Sequence, residues 1–375
     1  MQSYPVELLE RMLASYSPSG SEAQLANLLH EEMQTIGMQA TIDEVGNVVG
    51  VLGREGPRIL LCGHMDTVPG HISVRREGDL LYGRGAVDAK SSLAAMIIGA
   101  ALVKERCTWP VQITVAAVVE EETTSRGIRA IIHRKPRYDI AIFGEPSGAS
   151  NIIIGYKGNL KLVLSFHTSG GHSASPWLSK SSYEESCSFW TEFERELLDN
   201  NAESKFEAVT GCVTGLLAGG PGNSVPADAR LDIDVRTPPG VRTSDYLGKV
   251  AEFTKGYATP HDGVRIELNV EDQTEAFNGP VSSKVLPIFR LAVRKVLGGQ
   301  VAFLKKTGTG DINLFAETQN IPMFAYGPGD SRLDHTETEH VRISEYLAST
   351  EVYAHALCRF AERSQNSDLP PTTIE

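Results

Sequence analysis

Five short stretches of this 375-residue chain carry histidines and carboxylates in positions where they can do chemistry. Leu61-Cys-Gly-His64-Met-Asp66-Thr-Val-Pro69 closes an apolar run, and Gly83-Arg-Gly-Ala-Val-Asp88-Ala-Lys90 brings a carboxylate on a Gly-flanked loop. Glu120-Glu121-Glu122 ends a β-branched run, Gly144-Glu145-Pro146 ends another, and Tyr326-Gly-Pro-Gly-Asp-Ser-Arg-Leu-Asp-His335-Thr-Glu-Thr-Glu339 adds a second histidine. In extended chain, residues two apart share a face, so the Asp66 carboxylate can hold one nitrogen of His64 while the other faces a metal. Taken singly, a His-x-Asp at a strand end is an ordinary turn and a triple glutamate is an ordinary solvated loop. Three adjacent carboxylates repel one another, however, and call for a cation nearby. His64, Asp88, Glu122, Glu145 and His335 together suit two zinc-like ions without any thiolate. One carboxylate can bridge ions ~3.5–4 Å apart, and a spare carboxylate beside them can act as general base. The chemistry expected of such a set is amide hydrolysis.

The elements that must position these groups alternate as in an α/β domain. Val6 to Ala14 and Ser21 to Ile36 have helical spacing; Ala40 to Asp43, Val48 to Leu52 and Ile59 to Cys62 read as strands. A helix over Ser91 to Val103 and buried strands over Val111 to Val119 and Ile140 to Phe143 follow. After Lys157 the order becomes βαββαβ, a ferredoxin-like pattern: strands at Asn159–Thr168, Phe206–Leu217, Ala227–Arg236 and Val264–Val270, helices at Ser181–Leu197 and Ser244–Phe253. From Ala276 the α/β character resumes with helix Val281–Val296, strand Val301–Lys305, helix Asp311–Thr318, strand Pro322–Ala325 and helix Ile343–Glu362. The expected architecture is a mixed-sheet α/β catalytic domain, 1–157 and 276–375, interrupted by an α+β lid at 158–275, with a loose tail over 364–375. In an α/β sheet the strand ends that bear the candidate residues share one crevice.

Composition narrows the function classes. Net charge is 35 minus 47, or −12, with no basic run, which excludes nucleic acid as the expected partner. No stretch approaches the ~20 apolar residues of a membrane span, and the opening residues lack the basic and apolar parts of a secretory signal, so a cytoplasmic enzyme is expected. Five cysteines without a Cys-x-x-Cys pair fit a reducing compartment; Cys62 reads as a small buried strand residue.

These motifs resemble those of the acetylornithine deacetylase, succinyl-diaminopimelate desuccinylase and carboxypeptidase G family of dinuclear metallohydrolases, and the likeness covers nearly the whole chain. Gly63-His64-Met-Asp66-Thr-Val-Pro is similar to the family's first motif, Gly83-Arg-Gly-Ala-Val-Asp88 to its second and Gly144-Glu145-Pro to its fourth. The resemblance implies a zinc-peptidase-like catalytic domain with a ferredoxin-like dimerisation lid. It further implies two divalent ions, zinc first and cobalt or manganese as alternatives, with Asp88 bridging. His64 and Glu145 would complete one ion, Glu122 and His335 the other; Asp66 would orient His64, and Glu121 would be the base. In the family the base directly precedes a ligand, so the pair is Glu120/Glu121 or Glu121/Glu122. The second register is preferred because Gly127 then falls at the family's offset.

Within the expected lid, Gly170-Gly-His172-Ser-Ala-Ser-Pro176 is similar to a family loop whose histidine donates to the developing oxyanion, commonly in the neighbouring subunit. Pro221-Gly-Asn223-Ser-Val-Pro226 and Asp234-Val-Arg236 resemble segments that supply Asn223 and Arg236 to the substrate carboxylate, a task suited to the bidentate guanidinium. Loop wording, including Lys306-Thr-Gly-Thr-Gly-Asp311, is closest to the branch that releases lysine or ornithine from an amino-group carrier protein. The resemblance implies an acidic carrier, and a chain of net −12 then needs basic residues near its mouth. Lys305, Lys306, Arg332 and Arg342 are the candidates by proximity to the His335 loop. The rival readings are a deacylase or carboxypeptidase of free small substrates, and a non-catalytic binding protein. The complete ligand set and intact Glu121 argue against the last.

Overall fold

The computed structural model describes residues 3–220, 222–259, 261, 263–279 and 285–365. In chain order the first elements are α1 (Ser3–Ala14), α2 (Ala23–Thr35), β1 (Gln39–Ile42), β2 (Val48–Leu52) and β3 (Arg58–His64). Then come β4 (Arg75–Glu77), β5 (Leu80–Tyr82), α3 (Lys90–Arg106), β6 (Gln112–Val118), α4 (Arg126–His133), β7 (Ile140–Phe143) and β8 (Asn151–Tyr156). The middle of the chain forms β9 (Gly158–His167), β10 (Gly171–His172), α5 (Ser182–Leu197), β11 (Thr210–Ala218), β12 (Ser224–Val225), β13 (Asp228–Thr237), α6 (Thr243–Ala258), β14 (Arg265–Thr274) and β15 (Phe277–Asn278). It closes with α7 (Val285–Leu297), β16 (Ala302–Lys306), α8 (Asp311–Ala316), β17 (Met323–Ala325), β18 (His340–Arg342) and α9 (Ile343–Gln365).

The chain divides into two compact units: Met1–Ile154, Gly279–Leu304 and Leu314–Glu375 make the first, Gly155–Asn278 and Lys305–Asn313 the second. In the first, the sheet runs β1-β2-β6-β3-β7-β17-β8. Its centre is parallel, β3 with β6 and β7, and β7 with β17, while β2 and β8 join antiparallel. Parallel strands need cover on both faces, so their apolar runs are continuous: Ile59–Cys62, Ile113, Val115–Val118 and Ile140–Phe143 are all buried. Residues Lys90 to Ala100 of α3 are buried without interruption, as expected of a helix enclosed on every side.

The second unit contains an antiparallel sheet ordered β11-β13-β9-β14. Numbered within the unit that is 2-3-1-4, the ferredoxin-like arrangement expected from βαββαβ. Strand β13 alternates: Ala229, Leu231, Ile233 and Val235 are buried with Phe189 and Phe193 of α5 and Val250 of α6, leaving the intervening positions more open.

The unit boundaries differ from the expected 158 and 275. Lys305–Asn313, assigned to the catalytic part from sequence, belongs to the second unit. Asn313 Nδ2 donates to the carbonyls of Lys157 (3.1 Å) and Glu275 (2.8 Å), and Lys157 N to Lys306 O (3.1 Å), which ties that segment there. The expected start of the helix at 281–284 and the tail beyond 365 lie outside the described residues. Among the described residues no helix is long and apolar enough to cross a membrane.

Candidate metal centre

Because β6, β3, β7 and β17 are parallel neighbours, their carboxyl ends lie along one edge, and the loops leaving them carry the candidate residues. Hydrogen bonds prolong the ladder beyond the strands: Met65 N donates to Val118 O (2.9 Å), Gly144 N to Cys62 O (2.7 Å) and Tyr326 N to Phe143 O (2.9 Å). His64 is the last residue of β3, Glu120 to Glu122 follow β6, Glu145 follows β7, and the His335 loop follows β17. Two of these loops close tightly at Gly327, where a Cβ would sit 2.0 Å from Ser92 Oγ and 2.8 Å from Glu145 O. Asp88 arrives from the side, at the start of α3.

The candidate ligand atoms converge. His64 Nε2 lies 3.1 Å from Asp88 Oδ1, while His335 Nε2 lies 3.3 Å from Asp88 Oδ2 and 3.0 Å from Glu122 Oε1. Two donor groups result, His64–Asp88–Glu145 and Asp88–Glu122–His335, each with its atoms within 4.8 Å of one another and both containing Asp88. Glu120 turns away: its carboxylate pairs with Arg126 (2.7 Å) and accepts from Thr124 Oγ1 (2.5 Å). Glu120 and His335 have φ of 57° and 61°, a left-handed conformation that costs a non-glycine residue of order 1–3 kcal/mol and clusters at functional sites.

His64 Nδ1 lies 2.9 Å from the main-chain carbonyl of Asp66 and 3.5 Å from its carboxylate. The fully buried carboxylate also accepts the amides of Glu121 (3.0 Å) and Glu122 (3.1 Å) and the hydroxyl of Ser19 (2.7 Å). The turn after β6 returns its amides toward β3, so Asp66 fixes the glutamate pair as well as facing His64.

The electrostatics describe a site short of positive charge. Burial disfavours the His64 imidazolium, but Asp66, Asp88 and Glu121 outweigh it and hold the group well above its ordinary value. Hydrogen bonds to Asp88 and Glu122 push His335 up to about 10. Burial opposes ionisation of Asp88, yet His335 and His64 bring its carboxyl well below the usual range. Imidazole and carboxylate in these proportions are the donor chemistry of zinc-like cations, and two groups sharing one carboxylate fit a pair of them.

The remaining candidates lie in the second unit. His172 in β10 is opposite Ser224 of β12, and Ser173 N donates to Asn223 O (2.8 Å), so these two loops meet. His172 is exposed, with Nδ1 accepting from Ala174 N (3.1 Å). The fork of Arg236 is occupied by Asp234, Nε to Oδ1 at 2.7 Å and Nη2 to Oδ2 at 2.9 Å, and Nη1 donates to Thr309 Oγ1 (2.5 Å). Pro221 lies outside the described residues.

Several supporting residues escape sequence reasoning. Buried Asn47 accepts from Val119 N (3.1 Å) and donates to Gly127 O (2.9 Å), pinning both ends of the glutamate turn. A Cβ on Gly127 would lie 2.5 Å from Asn47 Oδ1. Arg84 and Glu339, both buried, form an ion pair at 2.9 Å behind Asp88. Glu339 closes the His335 stretch, but neither it nor a capping-type Asn carries a local pattern that marks it as a support.

The fold and the cluster define a metallohydrolase-type site, and comparison places the chain among such enzymes. Residues 60–359 match the Peptidase family M20/M25/M40, and the chain belongs to that family. It is similar, at 35% identity, to a putative LysW-lysine/LysW-ornithine hydrolase of Pyrococcus abyssi, covering 94% of this chain and 93% of that one. It is equally similar, at 35% identity, to a LysW-lysine hydrolase of Deinococcus radiodurans, covering 94% and 96%. Among solved structures, a tripeptidase of Staphylococcus aureus shares the fold at a TM-score of 0.83 with 19% identity, covering 96% of this chain and 99% of that one.

Proposed function

We propose that this protein is a cytoplasmic, dinuclear metal-dependent amide hydrolase that releases lysine, ornithine or both from the terminal glutamate of an amino-group carrier protein, in lysine and arginine biosynthesis. The observation that carries the chemistry is the pair of donor groups sharing Asp88, with Glu121 next to the ligand Glu122. The whole-length likeness to carrier hydrolases supports the substrate.

His64, Asp88 and Glu145 would hold one ion and Asp88, Glu122 and His335 the other, zinc being the first choice for this donor set. Such a pair supplies Lewis-acid polarisation of the scissile carbonyl and an acidified water. Glu121 takes the proton of the attacking water and returns it to the leaving α-amine. Asp66 keeps that glutamate in place through its amide. His172 donates to the developing oxyanion, and Asn223 and Arg236 receive the substrate carboxylate; the engagement of Arg236 with Asp234 means that it must share its donors to do so.

The second unit serves as a lid and as the contact of a homodimer. Its exposed Trp177 (76%), Leu178 (78%) and Leu217 (74%) supply apolar surface of the kind that favours association. Of the basic residues expected to meet an acidic carrier, Lys305 pairs with Glu207 (2.8 Å) and Arg332 with Asp330 (2.6 Å). Exposed pairs of this kind are weak and can exchange partners, so these side chains remain available to a carrier. The deciding experiment offers metal-loaded enzyme carrier-linked lysine, carrier-linked ornithine, N-acetylornithine, N-succinyl-diaminopimelate and a small peptide. Turnover confined to carrier-linked substrates supports this reading, and turnover confined to free substrates replaces it with a small-molecule deacylase or carboxypeptidase.

A further inference from the structure

We propose that Glu339 is the positioning residue of the metal centre, holding Asp88 from its main chain and locking three ligand loops together through Arg84. The proposal rests on the metal-centre reading above and adds to it a residue that touches no ion.

The second motif, Gly83-Arg-Gly-Ala-Val-Asp88, wraps around one buried carboxylate 251 residues further along the chain from Asp88. Glu339 Oε1 accepts the amides of Val87 (2.9 Å) and Asp88 (3.1 Å), and Gly85 N also donates to this carboxylate. Its Oε2 accepts from Arg84 Nη1 (2.9 Å). Arg84 reaches two more loops: Nε donates to Gly70 O (2.9 Å), beyond His64, and Nη1 to Thr336 O (3.0 Å), beside His335. The main chain of Glu339 closes the circuit, its carbonyl accepting from Gly83 N (3.3 Å).

Asp88 is thus fixed from both ends. Its amide is tied to Glu339, while its two carboxylate oxygens face His64 and His335. A carboxylate shared by both donor groups would tolerate little rotation, because a shift toward one group is a shift away from the other. Glu339 is bonded to main-chain amides and Arg84 and stands outside both donor groups, so its effect on the donor atoms passes through the loop, in the manner of groups that orient metal ligands. A carboxylate is needed there: three amides and a guanidinium are all donors, and the NH2 of a glutamine would confront one of them.

The test is cobalt(II) titration of metal-free wild type and of Glu339→Gln, followed by the visible absorption of the bound ion and by calorimetry, with far-UV circular dichroism as the check on folding. Arg84→Lys, which keeps the charge and removes the fork, is the second variant. Wild type should take up two equivalents. Glu339→Gln should bind cobalt ~10- to 100-fold more weakly with an altered absorption band, and Arg84→Lys should change in the same direction. A folded variant of either kind with wild-type affinity and band overturns the proposal, because a purely structural role would leave both unmoved. Failure of wild type itself to bind cobalt would overturn the metal-centre reading instead.

Discussion

Glu121 and Glu122 are adjacent, and both amides are tied to Asp66, yet their carboxylates face different tasks. Glu122 meets His335 in a candidate ligand group, whereas Glu121 acts on His64 through its charge. Glu121→Gln should therefore keep both ions by metal analysis and lose ~10²- to 10⁴-fold in turnover, the usual worth of a positioned general base. Near-normal turnover would remove Glu121 from that role. A second expectation concerns protons. In the metal-free protein His335 is raised from 6.5 to about 10, so its ion-pair contribution to stability is complete below pH 6.5 and is lost as pH rises through about 10. A cation must displace that proton. Metal binding near neutrality should release protons and strengthen as pH rises, which calorimetry in buffers of different ionisation enthalpy measures directly.

Helix α3 begins beside Asp88 and packs along α9. They meet tightly at Gly99, where a Cβ would stand 2.4 Å from Cβ of Tyr353. Two effects compete in Gly99→Ala. Helix propensity favours alanine by ~1 kcal/mol, but forcing two helices apart in a packed core costs ~1–3 kcal/mol. Tyr353 cannot yield, because its hydroxyl donates to Tyr326 O (2.7 Å) and its ring meets Phe289 and Tyr326 edge-on. Overpacking should win, lowering the urea midpoint of unfolding; a raised midpoint would show that α9 shifts freely.

At the scale of the molecule, the candidate ligands run from position 64 to position 335, so bound ions would cross-link loops distant in sequence. Ligands that bind only the folded state stabilise it by ~2.7 kcal/mol at a concentration a hundred times the dissociation constant. Chelation should lower the unfolding temperature, and added zinc should restore it. Identical melting with and without chelator would argue against a structural contribution from the ions.

The sequence by itself determined the elements whose patterns are local. The continuous apolar strands, the βαββαβ order and the polar loop motifs at strand ends all follow from periodicity and turn chemistry. The roles expected of His64, Asp88, Glu145 and His335 come instead from the likeness of their loops to a family's motifs. The short strands β4, β5 and β18 and the eight-residue helix α4 have brief patterns and emerge only with the fold, whereas the Ile-rich strand Asn151–Tyr156 has a clear apolar run to which the sequence reading assigns no element. Tertiary structure also decided what depends on long-range pairing. It turned Glu120 to Arg126 and Glu122 to His335, and gave the Asp66 carboxylate to two amides. It moved Lys305–Asn313 into the second unit. It also placed Glu339 under Asp88, because a buried carboxylate is selected by the donors that surround it, and those donors come from a loop far away in the chain.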